Sequence, residues 1–167
     1  TGEVELLDAA SGTESSRASP GPGTPIVGGG TAAFSAYVMG GTAVRALAFS
    51  PSLSRLFFSS IGPNIGPNPK RLEVSMNGGV AVLDPAPPGR ILRHLGFGAG
   101  VTEGLALDDP SGLLYAADPA LGLVRVLDAR ALAEGEEPAK RALLQELSIP
   151  PPDGFPTARP AADYATA

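Results

Sequence analysis

The sequence predicts an all-β chain of short antiparallel strands joined by tight turns and long irregular loops. Three observations predict it. The 167 residues include 22 Gly and 18 Pro, a turn density that suits many short elements better than a helix bundle. Apolar and polar residues alternate at period two in short runs, as in GEVELL, VRALAF and GVAVLD, the spacing of a half-buried strand. Pieces of the stretch 101–128, VTEGLALDDPSGLLYAADPALGLVRVLD, also recur twice upstream.

Composition narrows the function classes. The length suits one domain with a single core. Hydrophobic residues are 43% but aromatics only 5%, with no Trp, so Leu, Val, Ala and Ile must build that core. The formal net charge is −5 and the basic residues are scattered, which argues against a nucleic-acid partner. With no Cys, a disulfide, a thiolate nucleophile, a Cys-ligated zinc and covalent haem attachment are excluded within the chain. No run reaches the ~18 apolar residues of a membrane-spanning helix, so no transmembrane segment is expected. A start at Thr1 with a strand following at once fits either a removed signal or, as the favoured expectation, a piece of a longer chain.

In order, residues 1–10 hold a strand, with Val4 and Leu6 alternating with Glu3 and Glu5, and Asp8 opening a turn. Residues 11–30 are dominated by Ser, Pro, Gly and Thr and read as a flexible loop or linker, because they offer little apolar surface to offset ordering entropy. Residues 31–100 form a first strand group: TAAFSAYVMG at 31–40, VRALAF at 44–49, the turn Ser50-Pro51-Ser52, and RLFFSS at 55–60. The group carries a long insertion at 61–77, where IGPN occurs twice and each Pro pushes its predecessor out of helical space. Asn77-Gly78 is a hairpin signal; strands at 79–84 and 90–95 follow. Residues 101–132 form a compact second group of three strands. Residues 133–149 are a connecting segment, helix or strand, since Leu143, Leu144 and Leu147 fit either period. The Pro/Ala-rich tail 150–167 reads as irregular chain.

The recurrence has a defined period. ALAF at 46–49 falls on GLAL at 104–107, offset 58; RLFFSS at 55–60 falls on GLLYAA at 112–117, offset 57; and GVAVLD at 79–84 matches 123–128 by its VLD ending, offset 44. Residues 2–8 carry the same strand and Asp. A unit of about 40–45 residues with about four strands is the period of a propeller blade. A β-sandwich with chance similarity is the alternative.

Copies ordered as GLALDDPSGLLYAAD followed by VRVLD resemble blades of the YVTN/NHL-type β-propeller superfamily, over about residues 44–130 and the strand at 2–8. The resemblance implies antiparallel propeller-like blades, about two to three here in an incomplete ring. It implies a family that includes cell-surface and periplasmic binding proteins, cytochrome-associated propellers and metal-dependent lactonases. An incomplete ring leaves edges and one apolar face uncovered, so a protein partner or the remainder of a longer chain is expected to complete it.

Catalytic groups are sparse. Asp8, Asp84 and Asp128 end equivalent strands, where a carboxylate accepts from backbone N–H groups and fixes the turn. Asp108, Asp109 and Asp118 flank turns without calcium-loop spacing. His94, the only histidine, has no second His or Cys beside it. The glycine runs 28–30 and 96–100 lack the helix and Lys of a phosphate loop. Glu103 heads an inner strand, a position that in the resembled lactonases can carry a metal ligand, but its counterpart Arg45 cannot bind a metal. Glu103 and Arg45 are instead candidates for a channel-mouth binding pair. The expectation is a non-enzymatic binding or scaffold module without a cofactor, secreted, periplasmic or at the cell surface. The alternatives are the propeller part of a larger enzyme or redox protein, and a structural subunit of a larger assembly.

Overall fold

A computed structural model describes residues 4–7, 10–18, 43–65, 74–87, 89–97 and 101–150. These form mostly antiparallel sheet. A two-stranded hairpin pairs β1 (Val4–Leu7) with β2 (Glu14–Ala18). The first four-stranded sheet has the order β3 (Ala43–Ser50), β4 (Arg55–Ile65), β5 (Val74–Asp84), β6 (Arg90–Gly96). The second has β7 (Gly104–Asp108), β8 (Leu113–Asp118), β9 (Leu123–Asp128) and β10 (Leu143–Ser148), also in chain order. Two short helices, α1 (Ala129–Glu134) and α2 (Glu136–Ala139), link β9 to β10. The two four-stranded sheets form no closed ring. Among the described residues no helix is long and apolar enough to cross a membrane.

Several sequence expectations change. The stretch 11–30 contains β2 within its Ser-rich part. The described parts of the insertion are strand: β4 runs on to Ile65, and Asn77 and Gly78 pair inside the β4–β5 ladder with Gly62 and Ile61 rather than turning it. Among the described residues β3 pairs β4 only as far as Ile61, so Pro63 lies where β4 pairs with β5 alone, the kind of position at which strand prolines occur. The 133–149 ambiguity resolves as both elements: α1 has already begun at Ala129, and the Leu143 region is strand. Strand 31–40, Asp8, the Gly28–Gly30 run and the tail beyond 150 lie outside the described residues.

The turns correct the repeat register. Both β3–β4 and β7–β8 are joined by four residues whose last lies in the left-handed region, Ser54 at φ 50 and Gly112 at φ 74. Ser54 N–H donates to Pro51 O and Gly112 N–H to Asp109 O. Arg55 therefore matches Leu113, and the offset stays at 58 through both strands. Strand pairing carries the match onward: Phe57 faces Val82 and Tyr115 faces Val126, so β5 maps onto β9 at the offset of 44 read from the VLD ending.

Each sheet thus has two equivalent faces. Call front the face bearing Ala48, Phe57, Val80 and Val82, equivalent to Ala106, Tyr115, Val124 and Val126. The back bears Leu47, Phe49, Phe58, Ala81 and Leu83, equivalent to Leu105, Leu107, Ala116, Arg125 and Leu127. The main core joins the front of the first sheet to the back of the second: Phe57, Val80 and Val82 with Leu114, Ala116 and Leu127, all at most 1% exposed. Ala129, Leu132, Ala139 and Ala142 from the helical link close its margin. On the back of the first sheet Phe58, Ala81 and Leu83 form a second buried cluster with Val44, Leu56 and Ile91. Burial on both faces explains why FF and VAVL run without a polar break.

Gly79 marks a close approach. A Cβ there would lie 2.4 Å from His94 Nε2 and 2.7 Å from the Leu95 carbonyl oxygen, so no side chain fits without displacing backbone. We predict that Gly79→Ala destabilises the fold by about 1–3 kcal/mol, the usual overpacking cost, read as a lower urea midpoint with an unchanged slope.

Candidate binding surface at the first strands

The first strands of the two sheets, β3 and β7, are neighbours, and the predicted pair sits at their leading ends. Arg45 lies in β3 beside a register shift between Val44 and Leu47. The shift frees the Ala46 N–H, which donates to the buried Ser59 Oγ at 2.9 Å. Glu103 directly precedes β7, held by its N–H donating to Ala117 O at 3.0 Å. Both side chains are exposed. No ion pair joins them, so the structure offers two separate opposite charges at equivalent positions.

Behind Glu103, Thr102 is fully buried and its Oγ1 has no hydrogen-bond partner. Its equivalent in the first sheet is Val44, an almost isosteric residue packed in an apolar cluster. The hydroxyl is therefore a cost at a position that takes a hydrocarbon. Thr102→Val should raise stability by about 1 kcal/mol, seen as a higher urea midpoint.

Two polar nodes hold the leading and trailing ends of the sheets together. Asp109, in the β7–β8 turn, accepts from the Ser50 hydroxyl and from the Ser52 hydroxyl and N–H at 2.9 and 3.2 Å, tying it to the β3–β4 turn. The Ser50 hydroxyl above all holds its carboxyl below the usual carboxylate range. At the other node the buried Arg125 donates to Asp118 Oδ2 at 3.1 Å and to Glu146 Oε1 at 2.8 Å. Its guanidinium stacks 4.5 Å from the Phe97 ring centroid at the end of the first sheet. Asp118 also accepts from Val101 N–H at 3.1 Å and Leu121 N–H at 3.2 Å. Nothing in the local sequence marked Arg125 as special: only the strand register, placing it on the back face opposite Ala116, turns it inward.

The other Asp residues work locally. Asp84 Oδ1 accepts from Ala86 N–H at 3.1 Å, the turn contact its position predicts. Asp128 instead caps α1, accepting from Ala131 N–H at 2.9 Å. Asp108 accepts from the Ser111 hydroxyl at 2.6 Å. Among the described residues no group of three or more His, Asp or Glu could hold a metal ion. His94 is half-buried on β6 opposite Ala81. Desolvation brings its imidazole down from 6.5 to about 4, leaving it neutral at physiological pH. Comparison with protein-family models, curated proteins and solved structures finds no match to this chain.

Two measurements follow. Removing Asp118 takes away the buried carboxylate that pairs with Arg125 and leaves that cation only Glu146, whose side chain is 47% exposed and screened by water. Asp118→Ala should cost about 3 kcal/mol and Glu146→Ala less than about 1 kcal/mol in urea unfolding; equal costs would refute this division. For His94, the unfolded chain takes up its proton at a higher pH than the folded one. Its contribution is therefore complete above 6.5 and declines as pH falls toward 4, by up to about 3 kcal/mol. His94→Gln should flatten stability between about pH 7 and about pH 4.5 relative to the parent chain.

Proposed function

We propose that the chain is a segment of a β-propeller, acting as a non-enzymatic binding or scaffold module whose recognition surface includes the inner-strand ends at Arg45 and Glu103. The observation that carries this reading is the stacking of two equivalent sheets, front on back, with their first strands adjacent. A β-sandwich packs the inner faces of two sheets against each other; repeated blades about an axis stack one face on the opposite face of the next. Exposed, opposite and unpaired charges at equivalent strand heads fit a surface that contacts a partner rather than one that assembles a reaction centre.

The arrangement is tested by cross-linking. The chain has no Cys, so Ser52→Cys with Asp109→Cys introduces one thiol pair at the contacting turns. An intrachain cross-link with a short bifunctional reagent is expected, and its failure in a folded chain would refute the stacking. The function is tested by affinity capture from the native source. Arg45→Glu with Glu103→Lys should weaken a captured partner about tenfold, about 1.4 kcal/mol, without altering thermal unfolding. Retention unchanged by that reversal would remove these residues from the surface.

A further inference from the structure

The back of the first sheet is buried by something other than itself. Phe58, Ala81 and Leu83 are fully buried, yet among the described residues the neighbours grouped with them, Val44, Leu56 and Ile91, belong to the same sheet. A sheet buries an apolar face only against another element, so a second layer lies over these residues. The repeat says what kind of layer it is. Leu56, Phe58 and Leu83 are the equivalents of Leu114, Ala116 and Leu127, and those three pack with Phe57, Val80 and Val82 on the front of the sheet before them. The layer over the first sheet should therefore present a third strand with two apolar front residues, and it should precede that sheet in the chain.

We infer that the β1–β2 hairpin is that layer, docked with its Val4 and Leu6 face over Leu56, Phe58 and Leu83. VELLD at 4–8 matches VAVLD at 80–84, so Val4 and Leu6 take the register positions of Val80 and Val82, and Glu5 and Leu7 those of Ala81 and Leu83. Successive strand residues alternate between faces. Glu5 and Leu7 are the exposed pair, Leu7 by 58%, as the outward side of such a layer requires. A two-stranded layer also accounts for what stays open. Strands lie about 4.8 Å apart, so a hairpin spans about half the width of a four-stranded sheet. β1 and β2 correspond to β5 and β6, and no described strand of their sheet corresponds to β3 or β4. Between the first and second sheets, Ala48 of β3 and Leu53 of the turn after it join the core against which Leu105 and Leu107 pack. The hairpin has no such strand, and the equivalents of Leu105 and Leu107, Leu47 and Phe49, are 54% and 53% exposed. The width of the hairpin thus sets where the cover stops. The inference rests on the front-on-back stacking proposed above.

A photoreactive side chain in the full chain reads this contact. On irradiation Leu6→p-benzoylphenylalanine should cross-link to peptides of β4–β6, residues 55–96, whereas Leu7→p-benzoylphenylalanine, on the outward face, should not. Val4 carries the probe if the Leu6 variant does not fold by circular dichroism. Cross-links from the Leu6 position to the second sheet, to another chain in a species of doubled mass, or to nothing would each overturn the proposal, as would equal labelling from the Leu6 and Leu7 positions. A second readout uses anilinonaphthalene sulfonate, a dye that reports exposed apolar surface. Leu6→Asp should uncover Phe58 and Leu83 and raise its fluorescence, while Leu7→Asp should leave the signal at the parent level; equal signals from the two variants count against the hairpin as the cover. The 52–109 cross-link separates the two ways of failing. If it forms while the Leu6 probe does not label β4–β6, the stacking stands and the hairpin's place falls. If it does not form, the equivalence that placed the hairpin falls with the stacking.

Discussion

Water exclusion between the front of the first sheet and the back of the second is the constraint on which the rest depends. Phe57, Val80 and Val82 cannot be buried by their own strands; they need Leu114, Ala116 and Leu127 opposite. With few aromatics in the chain, the layer is made chiefly of aliphatic side chains and depends on close interdigitation. Two Phe side by side in β4 then divide their work, Phe57 toward the second sheet and Phe58 toward the back, so the first sheet is committed to partners on both sides.

Polar groups bound that layer and set its registration. At one end Asp109 gathers the Ser50 and Ser52 donors from the facing turn; at the other Arg125 lies between Asp118 and the Phe97 ring. The Arg93 guanidinium adds a third tie by donating to the Leu132 carbonyl in α1. A hydrophobic layer alone tolerates sliding, because its attraction has little direction. The contacts that cross between the sheets penalise displacement: Asp109 with Ser50 and Ser52, Arg93 with the Leu132 carbonyl, and the Arg125 guanidinium over the Phe97 ring.

The chemistry that the described residues do not assemble is as informative as what they do. Carboxylates at strand ends are engaged by backbone N–H groups, hydroxyls or a guanidinium, and each has a local task in a turn, a cap or a sheet contact. Glu103 and Arg45 differ: they are charged, exposed and equivalent, and neither braces the fold through a side-chain ion pair to the other.

Much of the strand pattern was legible because period-two alternation and turn residues act locally. VRALAF, RLFF, GVAVLD and the three strands after Val101 needed only their neighbours in sequence, and the Asp84 turn contact followed from position. Asn77-Gly78 misled because its turn propensity is weaker than ten consecutive β4–β5 pairings from Leu56–Leu83 to Ile65–Val74; local preference yields when a ladder on both sides can be completed. The outer strand β10 was ambiguous since Leu143, Leu144 and Leu147 fit two periods, and pairing with β9 decided it. The offset through the first turn required the left-handed Ser54 and Gly112, a backbone fact that residue matching could not supply. By itself the sequence determined the β class, the repeated unit and the Glu103–Arg45 equivalence. Only the tertiary structure decided which face of each sheet is covered, that Arg125 points inward, and that Leu47 and Phe49 remain open, because burial depends on what packs from a distant part of the chain.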